Sequence, residues 1–462
     1  MDILLVFPPQ SLDERYSRDM GDVGGFLPPL GLLSMAAVLE RDGHTVKVMD
    51  CPVNKYTISD VMNEITNFHP QIVGVAAITS LAHVTKELCE VIKNQWPETT
   101  IILGGPHPTV MPDAVANEMR ADIVIGGEAD GVISDVVKNL SESKEKKIIN
   151  AGKVMKLDAL PFPARHLVDM KKYTSLPNTY KHDPHTFQVM TSRGCPFTCT
   201  FCHDAHGVFR QRGVENVIAE LKELKEKYHI KEVAFWDDIL TLNKVWVHQF
   251  CEAMEREKLN LTWSCYSRLD LVDEPMLRAM KKAGCWNIFF GIEAGSQDLL
   301  DNIKKKMTVQ QMAEKVKLVK KCGIAIRGSF MIGLPGETPE KARETIQFAI
   351  DVDPDYAQFT ITTPYPGTEL WKTAEQFGSL DRNQNFTKWN EWQPVFIPSG
   401  YKDAQELLDM HKEAFRRFYT RPSYMLKRAL QIRSMDELKR NLKGFRVVLG
   451  MISSSKAKDV SA

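Results

Sequence analysis

The sequence predicts an α/β chain in three parts: an N-terminal doubly wound, Rossmann-like domain, a (β/α)6 partial barrel and a helical C-terminal tail. Three observations predict it. Short β-branched runs alternate with helix-period segments over residues 1 to about 130. The alternation restarts at 186 and completes six strand-helix units by about 370. The last ninety or so residues keep the helical period. The expected boundaries are 1–140 for the first domain, a linker over 141–185, the barrel over 186–380 and the helical region over 381–462.

In the first domain, strands are expected at Ile3–Phe7, Thr45–Met49, Ile72–Ala77, Thr100–Leu103 and Ile123–Ile125. Helical stretches fall near Leu30–Arg41, Ile58–Phe68, Leu81–Gln95 and Pro112–Met119. Nearly continuous apolar strands separated by helices imply a parallel sheet covered on both faces. Ligands of such sheets sit beyond the carboxyl ends of the strands. The charged run Ser141–Lys147 closes the domain, and the proline-rich Leu160-Pro161-Phe162-Pro163 marks the segment up to about 185 as a linker.

In the second alternation, strands are expected at Phe187–Thr191, Val233–Trp236, Leu261–Tyr266, Asn287–Ile292, Ile326–Ile332 and Ala357–Thr362. The helices between them are Val214–Tyr228, Lys244–Glu257, Pro275–Ala283, Val309–Lys321 and Pro339–Ile350. Functional groups of a barrel cluster at the carboxyl ends of its strands.

Composition narrows the function classes. Of 462 residues, 43% are hydrophobic and 26% charged, ordinary for a globular protein. Lys plus Arg and Asp plus Glu are 59 each, so net charge offers no argument for nucleic acid as a partner. No apolar run approaches the ~20 residues a membrane span needs. The opening Met1–Pro9 lacks a basic export region and reads as a strand stopped by two prolines, so a cytoplasmic location is expected. Nine cysteines, an odd number, argue against a disulfide framework. Cys51, Cys89, Cys251, Cys265, Cys285 and Cys322 are scattered and read as buried apolar thiols.

The other three are clustered in Ser192-Arg193-Gly194-Cys195-Pro196-Phe197-Thr198-Cys199-Thr200-Phe201-Cys202, just after the first barrel strand. Three thiolates at this spacing can ligate three irons of a 4Fe-4S cluster and leave the fourth iron open. Two other readings exist. One is a zinc site completed by His203 or His206, although zinc sites more often pair two Cys-x2-Cys units. The other is a chance grouping of buried thiols.

At this point the chain resembles the radical S-adenosylmethionine (SAM) superfamily, whose signature is Cys-x3-Cys-x-aromatic-Cys. Phe201 fills the aromatic slot. The resemblance spans 186–370. It implies that the open iron chelates SAM, whose reductive cleavage yields a radical that abstracts hydrogen. Later strand ends are similar to the family's SAM contacts. Asp237 or Asp238 would accept from the SAM ammonium, and Arg268 would meet its carboxylate. Glu293, in Gly291–Ser296, resembles the acidic residue that contacts ribose or amino group. Gly333, in Gly328–Glu337, resembles the stretch near adenine. Tyr266, Cys265 and Tyr365 also lie near predicted strand ends, where core packing is the plainer role.

The first domain resembles the cobalamin-binding domain that precedes the barrel in one radical-SAM subgroup. The matching pieces are Pro28-Pro29-Leu30-Gly31, Thr79-Ser80, Gly104-Gly105-Pro106-His107-Pro108-Thr109 and Gly126-Gly127-Glu128. Glycines there let backbone approach a large ligand, and hydroxyls and N–H groups can bind its polar edges. The Asp-x-His-x-x-Gly motif that supplies a cobalt ligand in many cobalamin proteins is absent, and Gln10–Gly25 holds no histidine. A helix-capping or surface role is the plainer reading of His107. No Gly-x-Gly-x-x-Gly follows a strand, which disfavours a nicotinamide.

The resemblance implies a cobalamin-dependent methyltransferase acting on an unactivated carbon of a small-molecule or lipid-like substrate. One SAM would remethylate cobalt, a second would supply the radical, and a flavodoxin or ferredoxin would be the reductant. A radical oxidation, cyclisation or ring rearrangement on the same architecture is the alternative. A non-catalytic iron-sulfur or cobalamin carrier would not need the ordered SAM-contact segments. A tRNA-modifying enzyme would carry an RNA-binding domain that is not seen. Between Lys412 and Arg446 stand eleven basic and three acidic residues, interleaved with aromatic and aliphatic ones. Such a helix packs on the barrel with a solvated basic face, or else makes peripheral membrane contact.

Overall fold

The computed structural model describes residues 1–11, 14–15, 25–140, 147–203, 207–382, 386–432 and 434–453. Most of Gln10–Gly25, the charged run up to residue 146, and His206 lie outside the described residues. The chain divides into two compact units, one built mainly from residues 25–174 and the other mainly from 175–382 and from 391 onward.

The first unit is a six-stranded parallel sheet in the order β2-β1-β3-β4-β5-β6. Its strands are β1 Asp2–Phe7, β2 Thr45–Asp50, β3 Ile72–Ala76, β4 Thr100–Gly104, β5 Ile123–Gly126 and β6 Lys147–Asn150. The order reverses between β1 and β3, the switch point at which such sheets hold ligands. Helices Leu30–Arg41, Ile58–Phe68 and Ala82–Gln95 cover the faces. Ile58–Phe68 starts in a capping box, with Thr57 Oγ1 accepting from Asp60 N–H and Asp60 returning the bond to Thr57 N–H. Leu4, Val6, Val73, Val75, Ile101, Leu103 and Val124 form one core, and Ile3, Leu5, Ile72, Ile102, Ile123 and Ile125 the other. Alternate residues of the same strands thus fill both faces, as a sheet buried on both sides requires.

The sixth strand corrects the expected linker. Ile123–Gly126 pairs with Lys147–Asn150, and residues up to 174 stay with this unit. Lys147, Ile148 and Asn150 are exposed, so this edge strand lacks the continuous apolar run by which the others were legible. Tyr173 ties the segment down by donating to Asp50 at 2.8 Å, with both side chains buried.

The second unit carries the partial barrel. Its strands are β7 Phe187–Val189, β10 Glu232–Phe235, β11 Thr262–Ser267, β12 Cys285–Glu293, β13 Ala325–Ile332 and β14 Tyr356–Ile361. They lie side by side in chain order, all parallel. Between β7 and β10 a small antiparallel ribbon, β8 Ser192–Arg193 with β9 Arg210–Gln211, closes the cysteine loop. The outer ring follows from capped helices: Asp273, Thr308 and Thr338 each accept a hydrogen bond from the first turn of the helix they precede. Phe235 and Trp263 pack edge-on against Phe250 of Lys244–Arg256. Full burial of such a side chain contributes about 1.5–3 kcal/mol. All six scattered cysteines are buried.

The first helix of the tail packs on the barrel. Helix Ala404–Tyr419 lays Phe415 and Phe418 on Phe359 of β14. Arg421 and Lys427 both reach Asp353, at 2.6 and 2.7 Å, and Arg428 reaches Tyr356 Oη at 2.7 Å. Phe415, Phe418 and Tyr424 are core residues and several basic ones are paired, while Met425, Leu426, Leu430, Leu442 and Phe445 stay exposed. Among the described residues no helix is long and apolar enough to cross a membrane.

Gly284 turns helix Glu274–Lys282 into β12 with φ +102°, and a Cβ there would lie 2.2 Å from the Leu261 carbonyl oxygen. Gly284→Ala is expected to cost about 1–3 kcal/mol of local strain, read as a lowered melting midpoint with a native far-UV spectrum in the surviving fold.

Candidate active site

The cysteine loop is held from both sides. Its entry is fixed by Asp237, which is 2% exposed. Asp237 Oδ1 accepts from Thr191 N–H and Oγ1, both at 2.8 Å, and from Ser192 N–H and Oγ. Burial pushes this carboxyl up to about 6, against the pull of those donors. Asp238, the next residue, is exposed and accepts from Gly194 N–H at 3.0 Å. Gly194 has φ +86°, and a Cβ would come 2.4 Å from the Val208 carbonyl oxygen, so the ribbon can close only over glycine. Further along, Thr200 donates its N–H to Ile303 and accepts from Leu370 N–H.

Of the three thiols, Cys199 is buried and Cys195 and Cys202 are half-buried. Cys195 Sγ accepts from the Phe197 N–H, while burial raises its pKa. Arg268, 6% exposed, sends Nη1 to 3.7 Å from Cys199 Sγ and lies over the Phe197 ring at 3.9 Å. Its other nitrogens go to Asp270 at 3.0–3.1 Å and to the Lys305 carbonyl at 2.9 Å. Thiolate is the form that binds iron, and the Phe197 N–H and the Arg268 guanidinium are groups that can hydrogen-bond a ligating sulfur. Among the described residues no three His, Cys, Asp or Glu side chains converge as a single-ion site requires. Thiols that ligate separate irons need not converge in that way. The donor set fits a 4Fe-4S cluster.

The expected SAM residues gather at the carboxyl ends of β10 to β13. Asp238 is exposed beside the loop, whereas Asp237 is engaged with Thr191 and Ser192. Arg268 is committed to Cys199 and Asp270, which places it beside the cluster loop. Glu293 is buried with φ +71° after a bulge in β12, and pairs with buried Lys305 at 2.9 Å. Gly333, φ +84°, donates its N–H to Glu337 Oε1. Glu337 is fully buried and also accepts from Tyr401 Oη at 2.6 Å. Phe201, half-buried, lies in the turn between Cys199 and Cys202.

In the first unit the expected cobalamin residues sit at the ends of β3, β4 and β5. Thr79 and Ser80 open a 3-10 turn after β3. Thr109 Oγ1 donates to the Gly105 carbonyl at 2.8 Å and accepts from Gly127 N–H at 2.9 Å. A Cβ on Gly105 would lie 2.9 Å from Ala77 O, and one on Gly127 2.8 Å from Gly152 O. Loop-on-loop packing, rather than ligand approach, is therefore what requires these two glycines. Glu128 accepts from Val154 N–H at 2.8 Å. His107 corrects its expected role: it is 3% exposed, Gly105 holds the capping position, and its ring stands edge-on to Phe386 at 5.4 Å. Its Nδ1 is buried without a hydrogen-bond partner among the described residues, and burial lowers its pKa, which favours the neutral ring. An apolar hollow under Gly74 and Gly104, walled by Leu5, Met35, Ile102 and Ile133, would be filled by side chains at those glycines. A Cβ on Gly74 would come 2.6 Å from Leu5 Cδ2. The hollow is small and apolar, and the hydroxyls of Thr79 and Ser80 stand at the carboxyl end of β3.

Sequence reasoning missed Lys305, Phe197 and the Tyr401–Glu337 pair. Lys305 stands in Lys304-Lys305-Lys306, which reads as surface charge. Tyr401 is 64 residues from Glu337, so only the fold unites them.

Residues 189–349 match the family model of the Radical SAM superfamily, and residues 18–137 that of the B12 binding domain. An uncharacterised methyltransferase of Pyrococcus horikoshii is 37% identical over 447 residues, covering 92% of this chain and 94% of the relative. The anaerobic magnesium-protoporphyrin IX monomethyl ester cyclase of Rubrivivax gelatinosus is 27% identical, covering 92% and 78%. Among solved structures, the radical SAM methyltransferase TsrM of Kitasatospora setae, with cobalamin and a [4Fe-4S] cluster bound, superposes with a TM-score of 0.68 at 16% identity, over 91% of this chain and 89% of that one.

Burial raises the Glu337 carboxyl from 4.5 to about 7. A raised acid pKa means the folded state binds the extra proton, so this contribution to stability is full below pH ~4.5 and falls as pH rises to ~7. Glu337→Gln keeps an acceptor for Gly333 and Tyr401 without the charge. The gap between wild-type and variant melting midpoints should therefore change over pH 4.5–7 and level off above it, with a total of about 3 kcal/mol. A parallel pair of melting curves would refute the assignment. Lys305→Met, which leaves Glu293 buried and unpaired, is expected to destabilise by about 3–5 kcal/mol, measured by urea denaturation.

Proposed function

Because this chain belongs to the cobalamin-dependent branch of the radical SAM superfamily, we propose that it methylates an unactivated carbon of a small-molecule or lipid-like substrate. One arrangement carries the reading: a three-cysteine loop at the carboxyl ends of a parallel partial barrel, with Arg268 against Cys199, in a chain that also matches the B12 binding domain. The relative named a methyltransferase, which aligns over nearly the whole of both chains, supports it.

When bound, the cluster with SAM supplies the hydrogen-abstracting radical, and cobalamin supplies the methyl group. Cys195, Cys199 and Cys202 would ligate the cluster. Arg268 keeps positive charge at the Cys199 sulfur, and Phe197 shields the guanidinium from water. Asp238 would hold the SAM ammonium, and Gly333 would border the adenine. Lys305 pairs with buried Glu293 at 2.9 Å inside the barrel mouth. Thr79, Ser80, Gly104 and the Thr109–Gly127 connection would border the cobalamin. A reductant of the flavodoxin or ferredoxin kind would supply electrons.

Oxidative cyclisation is the second reading, favoured by the 27% identity to a cyclase. The two differ in products. Protein reconstituted without oxygen is incubated with cobalamin, a strong reductant, SAM and a cell extract as substrate source. Methyl transfer is expected to release 5′-deoxyadenosine and S-adenosylhomocysteine together, and both should vanish in Cys199→Ala. 5′-Deoxyadenosine alone would favour cyclisation. Neither product from cluster-replete protein, across extracts of several growth conditions, would count against both.

A further inference from the structure

Strand alternation gives the barrel two faces. Phe235, Trp263 and Phe359 pack on the surrounding helices. Residues one position away on the same strands therefore face the lumen. One lumen layer holds Tyr266 of β11, Phe289 of β12 and Arg327 of β13, consecutive partners in the register. The Tyr266 and Phe289 rings lie 4.9 Å apart, and Trp236 meets Tyr266 edge-on at 5.6 Å. The Arg327 guanidinium carbon is 5.5 Å from the first ring and 5.0 Å from the second. Tyr266 precedes Arg268 by two residues, so this layer lies roughly 6.6 Å below the one that meets the cluster loop.

Arg327 is only 5% exposed. Its Nε donates to the neutral Asn287 Oδ1 at 2.8 Å. No carboxylate pairs with it, and neither Nη1 nor Nη2 has a hydrogen-bond partner among the described residues. The contrast within the same barrel is direct: buried Lys305 has Glu293 and buried Arg268 has Asp270. A buried cation without a counter-ion is costly, and aromatic faces return only part of its lost hydration. Two free, parallel N–H donors are what a carboxylate or phosphate takes up in bidentate form.

We propose that Arg327 anchors the substrate: the substrate carries an oxyanion, carboxylate or phosphate, beside a flat apolar portion that rests on Tyr266 and Phe289. This rests on the reading that the barrel is where the substrate reacts. Bound there, the substrate extends from Arg327 toward the layer of Arg268.

The test reads binding, not turnover. The full reconstituted chain is titrated with benzoate, phenyl phosphate and uncharged benzamide, followed by ligand-observed NMR. At least one anion is expected to bind, with benzamide weaker by about tenfold or more. Arg327→Met should weaken the anion by about tenfold or more, while Arg327→Lys, which keeps the charge but loses the planar two-donor fork, should weaken it by less than Arg327→Met does. Should Arg327→Met not fold, Arg327→Gln carries the same comparison. The better-bound anion tells carboxylate from phosphate. Unchanged anion affinity without the positive charge, equal binding of benzamide, or no anion binding to the wild type overturns the proposal. Since no product is read, failure here leaves the methyl-transfer reading standing, and failure of the product assay leaves this measurement standing.

Discussion

The cysteine loop hangs on one buried carboxylate. Asp237, at the end of β10, gathers the N–H and hydroxyl groups of Thr191 and Ser192 where the chain leaves β7. Those two strands are neighbours in the sheet, so the bond set welds the start of the loop to the barrel's frame. Gly194 then folds under Val208, and Thr200 is pinned by Ile303 and Leu370. A cluster ligated by such a loop is presented at a set depth, because the loop is tied at its entry, at the ribbon and again between Cys199 and Cys202. Charge-assisted bonds to an ionised acceptor are roughly twice as strong as neutral ones, which suits this acceptor to the task.

Among the described residues, charge inside the barrel mouth is arranged in opposed pairs with Arg327 as an exception. Arg268 with Asp270 and Lys305 with Glu293 are self-compensated, so their cost of burial is offset within the protein. They also touch one another through the Lys305 carbonyl, which makes Arg268 beside the cysteine loop and Glu293 of β12 one connected unit. Arg327 is different: it is a buried cation that lies beside aromatic rings.

The similarity to both a methyltransferase and a cyclase has a physical basis. The loop, its ties and the parallel strand frame set where a radical would be generated. What becomes of a substrate radical depends on the side chains of the lumen and on the distance to a second cofactor. The frame is compatible with either outcome, and Tyr266, Phe289 and Arg327 form one layer of this chain's lumen.

Much of the fold was legible in the sequence. The strands of both sheets read as apolar β-branched runs because parallel strands are buried on both faces. The three cysteines announced themselves by spacing alone. The edge strand Lys147–Asn150 did not, since an edge carries little apolar signal and the segment looked like charged linker. His107 looked like a surface residue because burial is a property of what packs on top, here Phe386 from far along the chain. The tail's aromatic residues fitted a lipid surface and a protein core equally well until β14 supplied the core. Sequence by itself determined the two sheets, the helices and the clustered cysteines, because periodicity and short spacing are local. Only the tertiary structure decided which charges are paired, and that left Arg327 with a neutral partner alone. Pairing depends on register and layer between strands that are distant in the chain, and no local pattern encodes it.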